Sequence, residues 1–363
     1  GSSGVEAMQK LEEWQLISLV SFLIVISICV ISHEGGHYLS ARWRNVLIHE
    51  FSFGMGPSLW SRQKGETIWS LRAFPIGGFV KLEGEDSSEE DPKPEGYDPA
   101  RSLSSKKPWE RLLVLASGAT VNLILAWLLT AALLAGHGIM DLDRPLVGKV
   151  MEGTPAFSAG IQPGDVIKSI NGKELNKWSD IRETIQDKDV TDDIFQITLQ
   201  RGGGMIGVDV DIPADPAHGG RLLGVQPGRI TYPIHTALRK SLGYSWDMGV
   251  EILKGLWMVL TRKVQSDVVG PVGIAVMAGD ALKQGIWSFI AFLGVINLHL
   301  GLLNLLPFPA LDGGRIIFIL AEMATGKKVP EKWEALIHYG GFMILISLII
   351  LVTGKDIIRL FFR

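Results

Sequence analysis

The chain has 363 residues, 47% of them hydrophobic and 20% charged, with a net charge of −3. That balance offers no basic surface to a nucleic acid, and partners of that class are excluded. Mean hydropathy is nevertheless positive, which in a chain this charged requires long apolar segments and points to membrane spans rather than a soluble domain.

In chain order, residues 1–5 open with Gly-Ser-Ser-Gly, a linker-like sequence set aside from fold reasoning. A first span at 14–39 runs into His33-Glu34-Gly35-Gly36-His37. Its flank is acidic (Glu6, Glu12, Glu13) and no small-residue cleavage site follows, unlike a cleaved signal peptide. It holds the single cysteine, Cys29, so there is no intrachain disulfide. Residues 40–110 form a loop in which Thr67, Trp69 and Leu71 alternate with Ile68, Ser70 and Arg72, predicting short strands with glycine turns. An acidic, proline-containing stretch at 83–99 reads as solvated loop.

A second span follows at 111–135. Residues 145–214 read as a small β-rich domain, with strands at 147–151, 166–170, 194–200 and 206–212 and a hairpin turn at Gly202-Gly203-Gly204. A helix is expected after Lys177, capped by Ser179 and ending near Gln186. Within a membrane-proximal stretch at 233–283, apolar and charged residues alternate at helical spacing over 235–264, with Trp246, Leu253, Leu256 and Trp257 broadly on one side. This predicts a pair of amphipathic helices at the membrane surface, or else an ordinary packing helix. A third span with its terminal motif occupies 286–315, and a fourth 335–353.

His33 and His37 are four residues apart, so on a helix they share one face and can hold one metal ion. Glu34 beside them is placed to move a proton rather than to bind the metal. Three ionisable groups in five positions at the end of an apolar run are costly at membrane depth, and a zinc ion is the compensating partner. A catalytic zinc takes three protein ligands and keeps a position open. The third ligand is not a nearby histidine: the pattern HExxHxxGxxH fails at Ser40 and Trp43. Asp312 is the better candidate. It follows the third span in Asn-Leu-Leu-Pro-Phe-Pro-Ala-Leu-Asp-Gly-Gly-Arg, where Pro307 and Pro309 break the helix and Gly313 and Gly314 allow a tight turn. Taken alone, Asp312 reads equally well as a turn residue or helix cap.

With HEGGH on one span and NLLPFPALDGG after another, the sequence resembles the site-2 protease family, in its bacterial RseP/RasP-type branch. The segments FSFGMGPSLW, GGFVKLEGED and GPVGI are similar to that branch too, and the likeness covers almost the whole chain. It implies a polytopic α-helical membrane protein with four transmembrane helices, a membrane-associated β-loop region and an inserted PDZ domain. It implies a zinc metalloendopeptidase that cuts within transmembrane segments, such as those of anti-sigma factors or signal-peptide remnants. Zinc would be held by His33, His37 and Asp312, with Glu34 as base. Thr67, Trp69 and Leu71, on a β-loop at 67–75, would present the substrate backbone in extended form. Gly78, Phe79, Val80 and Lys81 would contact the substrate, and Asn304 would position substrate or oxyanion, or simply cap its helix.

The single motif AGIQPGDVIKSING matches one PDZ domain. By resemblance this domain lies outside the cytoplasm as a size filter, or binds peptide C-termini, and the active site faces the cytoplasmic side of a bacterial inner membrane. The acidic N-terminal flank agrees with this; Lys355, Arg359 and Arg363 run against the usual positive-inside bias. The chain departs from the pattern at Gly35, where the family has a bulky apolar residue, and at His299, where it has an asparagine; a hydrogen-bonding role is expected for His299. Two other readings remain. A membrane-tethered PDZ scaffold would bind no metal tightly. A zinc transporter would need polar residues along the spans, where Asn122, Asn297 and His299 are few, and would leave Glu34 without a role.

Overall fold

A computed structural model describes residues 2–85, 97–187, 192–215, 220–261 and 269–361. The chain divides into two compact units, one of residues 1–131 with 238–363 and one of residues 132–237. Of the segments read from the sequence, 86–96 in the acidic loop, 188–191 in the β-rich domain, 262–268 within the amphipathic stretch and Arg363 lie outside the described residues.

The first unit is helical. α1 (Ser2–Trp43), α2 (Pro108–Gly136), α7 (Ile286–Asn304) and α9 (Glu331–Phe361) are its long apolar helices. Each holds a stretch long and apolar enough to cross a membrane: Glu13–Trp43, Pro108–Gly136, Ile286–Asn304 and Lys332–Ile358. At 1.5 Å per residue even the 19-residue span covers about 28 Å. α2 starts where a proline costs no hydrogen bond, and Glu110 accepts from the Lys107 N–H ahead of it at 3.0 Å.

Apolar helices in lipid gain little from burying more apolar surface, so they associate through small residues that let backbones approach. Gly36 on α1 meets the backbone of Ser117 on α2. Gly294 and Gly301 on α7 face Ala126 and Ala119 of α2. Ser32 on α1 donates to Asn122 Oδ1 on α2 at 2.7 Å, and both Asn122 and Asn297 are fully buried. α5 (Ile234–Leu260) is one unbroken helix with exposed Trp246, Leu253 and Trp257. It is followed by α6 (Pro271–Lys283), which packs on α1, with Ala278 buried and Gly279 against Ser18.

Between α1 and α2, β1 (Ile48–Lys64) pairs antiparallel with β2 (Thr67–Leu82). The expected short strands are instead two long ones that fold back on themselves. Phe51 faces both Trp69 and Val80, so the 48–53 stretch of β1 lies between two stretches of β2. The 67–72 stretch is likewise flanked, since Leu71 faces both Phe53 and Trp60. Among the described residues, the 78–82 stretch pairs with 48–53 alone. Beyond α7 the prolines end the helix, Ala310 takes φ +78°, and α8 (Asp312–Thr325) begins at Asp312.

The second unit is β-rich. β3 (Ile139–Met140) and β4 (Val147–Val150) precede the short α3 (Pro155–Ser158). A four-stranded sheet follows, in the order β6-β5-β7-β8, from β5 (Val166–Ile170), β6 (Lys173–Glu174), β7 (Ile194–Arg201) and β8 (Gly204–Asp211). Gly202 and Gly203, both at positive φ, make the two-residue turn between β7 and β8. Alternate residues Phe195, Ile197 and Leu199 point into a core with Ile167, Ile170, Val210 and Ile212. α4 (Trp178–Ile185) is capped by Asp180, which accepts from the N–H groups of Asn176 and Lys177 at 2.9 Å each, and not by Ser179. Its acceptor sits three residues inside the helix, a position a search for a leading serine overlooks. Short strands β9 (Ala214–Asp215), β10 (Gly220–Arg221), β11 (Val225–Pro227) and β12 (Arg229–Ile230) complete the unit, β11 pairing with β4 and β12 with β3.

Candidate metal centre

The last turns of α1 bring His33 and His37 onto one face, with ring nitrogens Nε2 3.2 Å apart. The turn after α7 delivers Asp312 to the same point. Its Oδ2 lies 3.1 Å from His33 Nε2 and 3.4 Å from His37 Nε2. One proton bridges at most two such atoms, so a cation between them satisfies all three at once. The spacing fits: bonds of about 2.0–2.1 Å at tetrahedral angles put ligand atoms about 3.3 Å apart. Two imidazoles and a carboxylate are a zinc donor set that leaves one position open. Among the described residues this is the one group of three such side chains able to hold a metal ion.

The surroundings prepare the rings. A carbonyl oxygen can only accept, so His37 Nδ1 donates to the carbonyl of Val114 at 2.8 Å, and this leaves the Nε2 lone pair for a metal. The His33 Nδ1 lies 3.4 Å from the side-chain amide of Asn304. Gly118 on α2 gives the rings room: a Cβ there would stand 2.4 Å from His37 Nε2. His33 and His37 meet edge to face, with centroids 4.8 Å apart.

A cavity of about 230 Å³ opens on this group. His33, Glu34, His37 and Asp312 line it together with Phe79, Val80 and Leu82 of β2. The Glu34 carboxylate faces the same cavity as Val80 of β2. Arg315, one turn along α8, pairs with Glu85 at the rim.

Of the residues singled out in the sequence, Phe79 and Val80 line the cavity and Gly78 packs against Val30 and Glu34 of α1. Lys81 is not among the lining residues. Thr67, Trp69 and Leu71 are not brought there either. The Thr67 hydroxyl donates to the Ile48 carbonyl, Trp69 stacks on Phe51 at 4.8 Å, and their strand is paired on both sides. The sheet edge beside the metal group is therefore 78–82, not 67–75. His299 hydrogen-bonds the Val295 carbonyl of its own helix at 2.9 Å. Sequence reasoning missed Val114, Gly118, Glu85 and Arg315. Only Gly118, a small residue on an apolar span, carries a local signal.

The profile of Peptidase family M50 matches residues 21–348. The zinc metalloprotease RasP of Geobacillus kaustophilus is 28% identical, over 95% of this chain and 99% of its own length. The regulator of sigma-W protease RasP of Bacillus subtilis is 26% identical, over 95% and 99%. The PDZ domain of an SdrC-like protein from Listeria monocytogenes overlaps 23% of this chain and 87% of its own, at 22% identity and a TM-score of 0.21.

Proposed function

The chain belongs to Peptidase family M50, the site-2 proteases, and is a zinc metalloprotease, and we propose that it hydrolyses peptide bonds within the membrane-spanning segments of other proteins. The observation that carries this reading is the meeting of His33, His37 and Asp312 beside Glu34, on helices of membrane-crossing length.

His33, His37 and Asp312 would hold the zinc. The bound metal supplies Lewis acidity to the scissile carbonyl and lowers the pKa of water. Glu34 takes the proton from the attacking water and passes it to the leaving amine. Asn304, 3.4 Å from His33 Nδ1, would steady that ring and position substrate or oxyanion. A peptide bond in a membrane helix is shielded by its own hydrogen bonds, and unwinding it in lipid leaves polar groups unpaired. Addition of the unwound segment along Gly78, Phe79, Val80 and Lys81, an outer stretch of the described sheet, would pair those groups and lay the chain past Glu34.

The β-rich unit is read as a PDZ domain outside the cytoplasm that admits only substrates already trimmed of bulky ectodomains. The metal site then faces the cytoplasmic side of the membrane. Substrates of this class include anti-sigma factors, in keeping with the name of the Bacillus subtilis relative.

The test is cleavage of a model single-span substrate by the purified protein in detergent. Glu34→Gln is expected to keep its zinc and to lose activity by about 10²–10⁴-fold. Cleavage at the wild-type rate by Glu34→Gln rules the mechanism out.

A further inference from the structure

Asp312 is reached through an irregular turn, and one side chain from another membrane helix touches the chain on both sides of it. Ala310, two residues before Asp312, sits at φ +78°. Residues with a side chain rarely adopt this region, and they stay there only where neighbours over-determine it. The Ala310 N–H donates to His338 Nδ1, on α9, at 3.0 Å. The same imidazole meets Phe318 edge-on, with ring centroids 5.7 Å apart, and Phe318 belongs to α8, the helix that Asp312 begins. One turn further along α9, Gly341 is so close to Pro309 that a Cβ there would fall 2.3 Å from Pro309 Cβ and 2.6 Å from its carbonyl oxygen. His338 and Gly341 therefore form one face of α9, seated on residues 309 and 310. Leu336, Tyr339, Phe342 and Met343 beside them are exposed.

We propose that His338 is a positioning residue for Asp312: by accepting the Ala310 N–H it fixes the left-handed turn and, through it, the direction from which the carboxylate enters the metal site. The proposal rests on the reading of Asp312 as a zinc ligand. Nδ1 accepts only when it carries no proton, so the neutral tautomer protonated at Nε2 is the one that serves. Without that acceptor the N–H of a half-buried turn loses its partner, and the peptide is free to rotate out of its unfavourable conformation. The residue so released lies two positions from a metal ligand, where small displacements change coordination.

The full-length protein in detergent provides the test, through zinc affinity by chelator competition and the visible spectrum of the cobalt-substituted form. His338→Leu removes the acceptor and keeps the bulk. His338→Asn places an amide oxygen near the position of Nδ1, and His338→Gln carries its acceptor too far out. The expected result is a zinc affinity about tenfold weaker in His338→Leu and His338→Gln, with a changed cobalt spectrum, and both restored towards wild type in His338→Asn. If His338→Leu does not accumulate, the contrast between His338→Gln and His338→Asn carries the same test. Wild-type affinity and spectrum in all three overturns the proposal, and so does an equal loss in all three, which would mark a packing role. Asp312→Asn is measured alongside: unchanged zinc affinity there overturns the ligand assignment itself and separates that failure from one of His338.

Discussion

Gly118 of α2 stands so close to His37 of α1 that a Cβ on it would lie 2.4 Å from His37 Nε2 and 2.9 Å from His33 Cε1. The metal site is therefore shaped by a glycine that binds nothing. Gly118→Ala is expected to push the rings out of register at about 1–3 kcal/mol, roughly five- to hundredfold in zinc affinity. Zinc titration of the folded variant reads this directly, and unchanged affinity contradicts it.

The two glycines inside HEGGH have different surroundings. A Cβ on Gly35 meets nothing within 4 Å, whereas one on Gly36 would stand 2.5 Å from the Ser117 carbonyl oxygen. Gly35→Ala should stabilise α1 by up to ~1 kcal/mol through helix propensity. Gly36→Ala should destabilise by about 1–3 kcal/mol, because it wedges α1 from α2, the helix that carries Val114 and Gly118. Thermal unfolding of the two single variants decides, and equal effects would count against this packing.

Strand addition at 78–82 makes a prediction that addition at 67–75 does not. Proline is tolerated at a sheet edge but removes the Val80 N–H from the stretch that would receive the substrate strand. Val80→Pro should lower kcat by up to about a hundredfold and leave bound zinc unchanged. Near-normal turnover would move the substrate strand elsewhere.

In the β-rich unit, Asp165 is buried and accepts from Arg201 Nε and a terminal guanidinium nitrogen, each at 2.7 Å, and from the Gln162 N–H at 2.8 Å. Burial pushes its carboxyl pKa upward, but the Arg201 and Gln162 hydrogen bonds outweigh this and hold it below the usual aspartate value. The stabilisation is therefore complete above the unfolded-state pKa of about 3.9 and is lost as pH falls through the lower folded value. Asp165→Asn should cost about 2–3 kcal/mol at pH 7 and progressively less in acid. Thermal unfolding at pH 7 and at about pH 3 compares the two, and a deficit independent of pH contradicts the assignment.

What the sequence made legible follows the range of each interaction. His33 and His37 lie on one helix, so spacing alone pairs them. Asp312 is far along the chain, yet the prolines and glycines around it advertise a break after a span. The Val114 carbonyl and Gly118 act across a helix contact, and no local pattern encodes which turn of α2 meets α1. The alternation around Trp69 marks a strand but does not say which stretch lies outermost beside the metal group, and among the described residues it is 78–82. For the helices after the β-rich unit the sequence left surface and packing readings open, and in α6 Ala278 and Gly279 are small enough to seat that helix on α1.

The central claim is that two imidazoles and one carboxylate hold a single zinc ion. X-ray absorption at the zinc edge of the purified protein tests it most directly. One zinc per chain is expected, with two imidazole ligands and otherwise oxygen, at about 2.0–2.1 Å. A third imidazole, such as His299, or a sulfur ligand at about 2.3 Å, or no bound zinc at all, would contradict it.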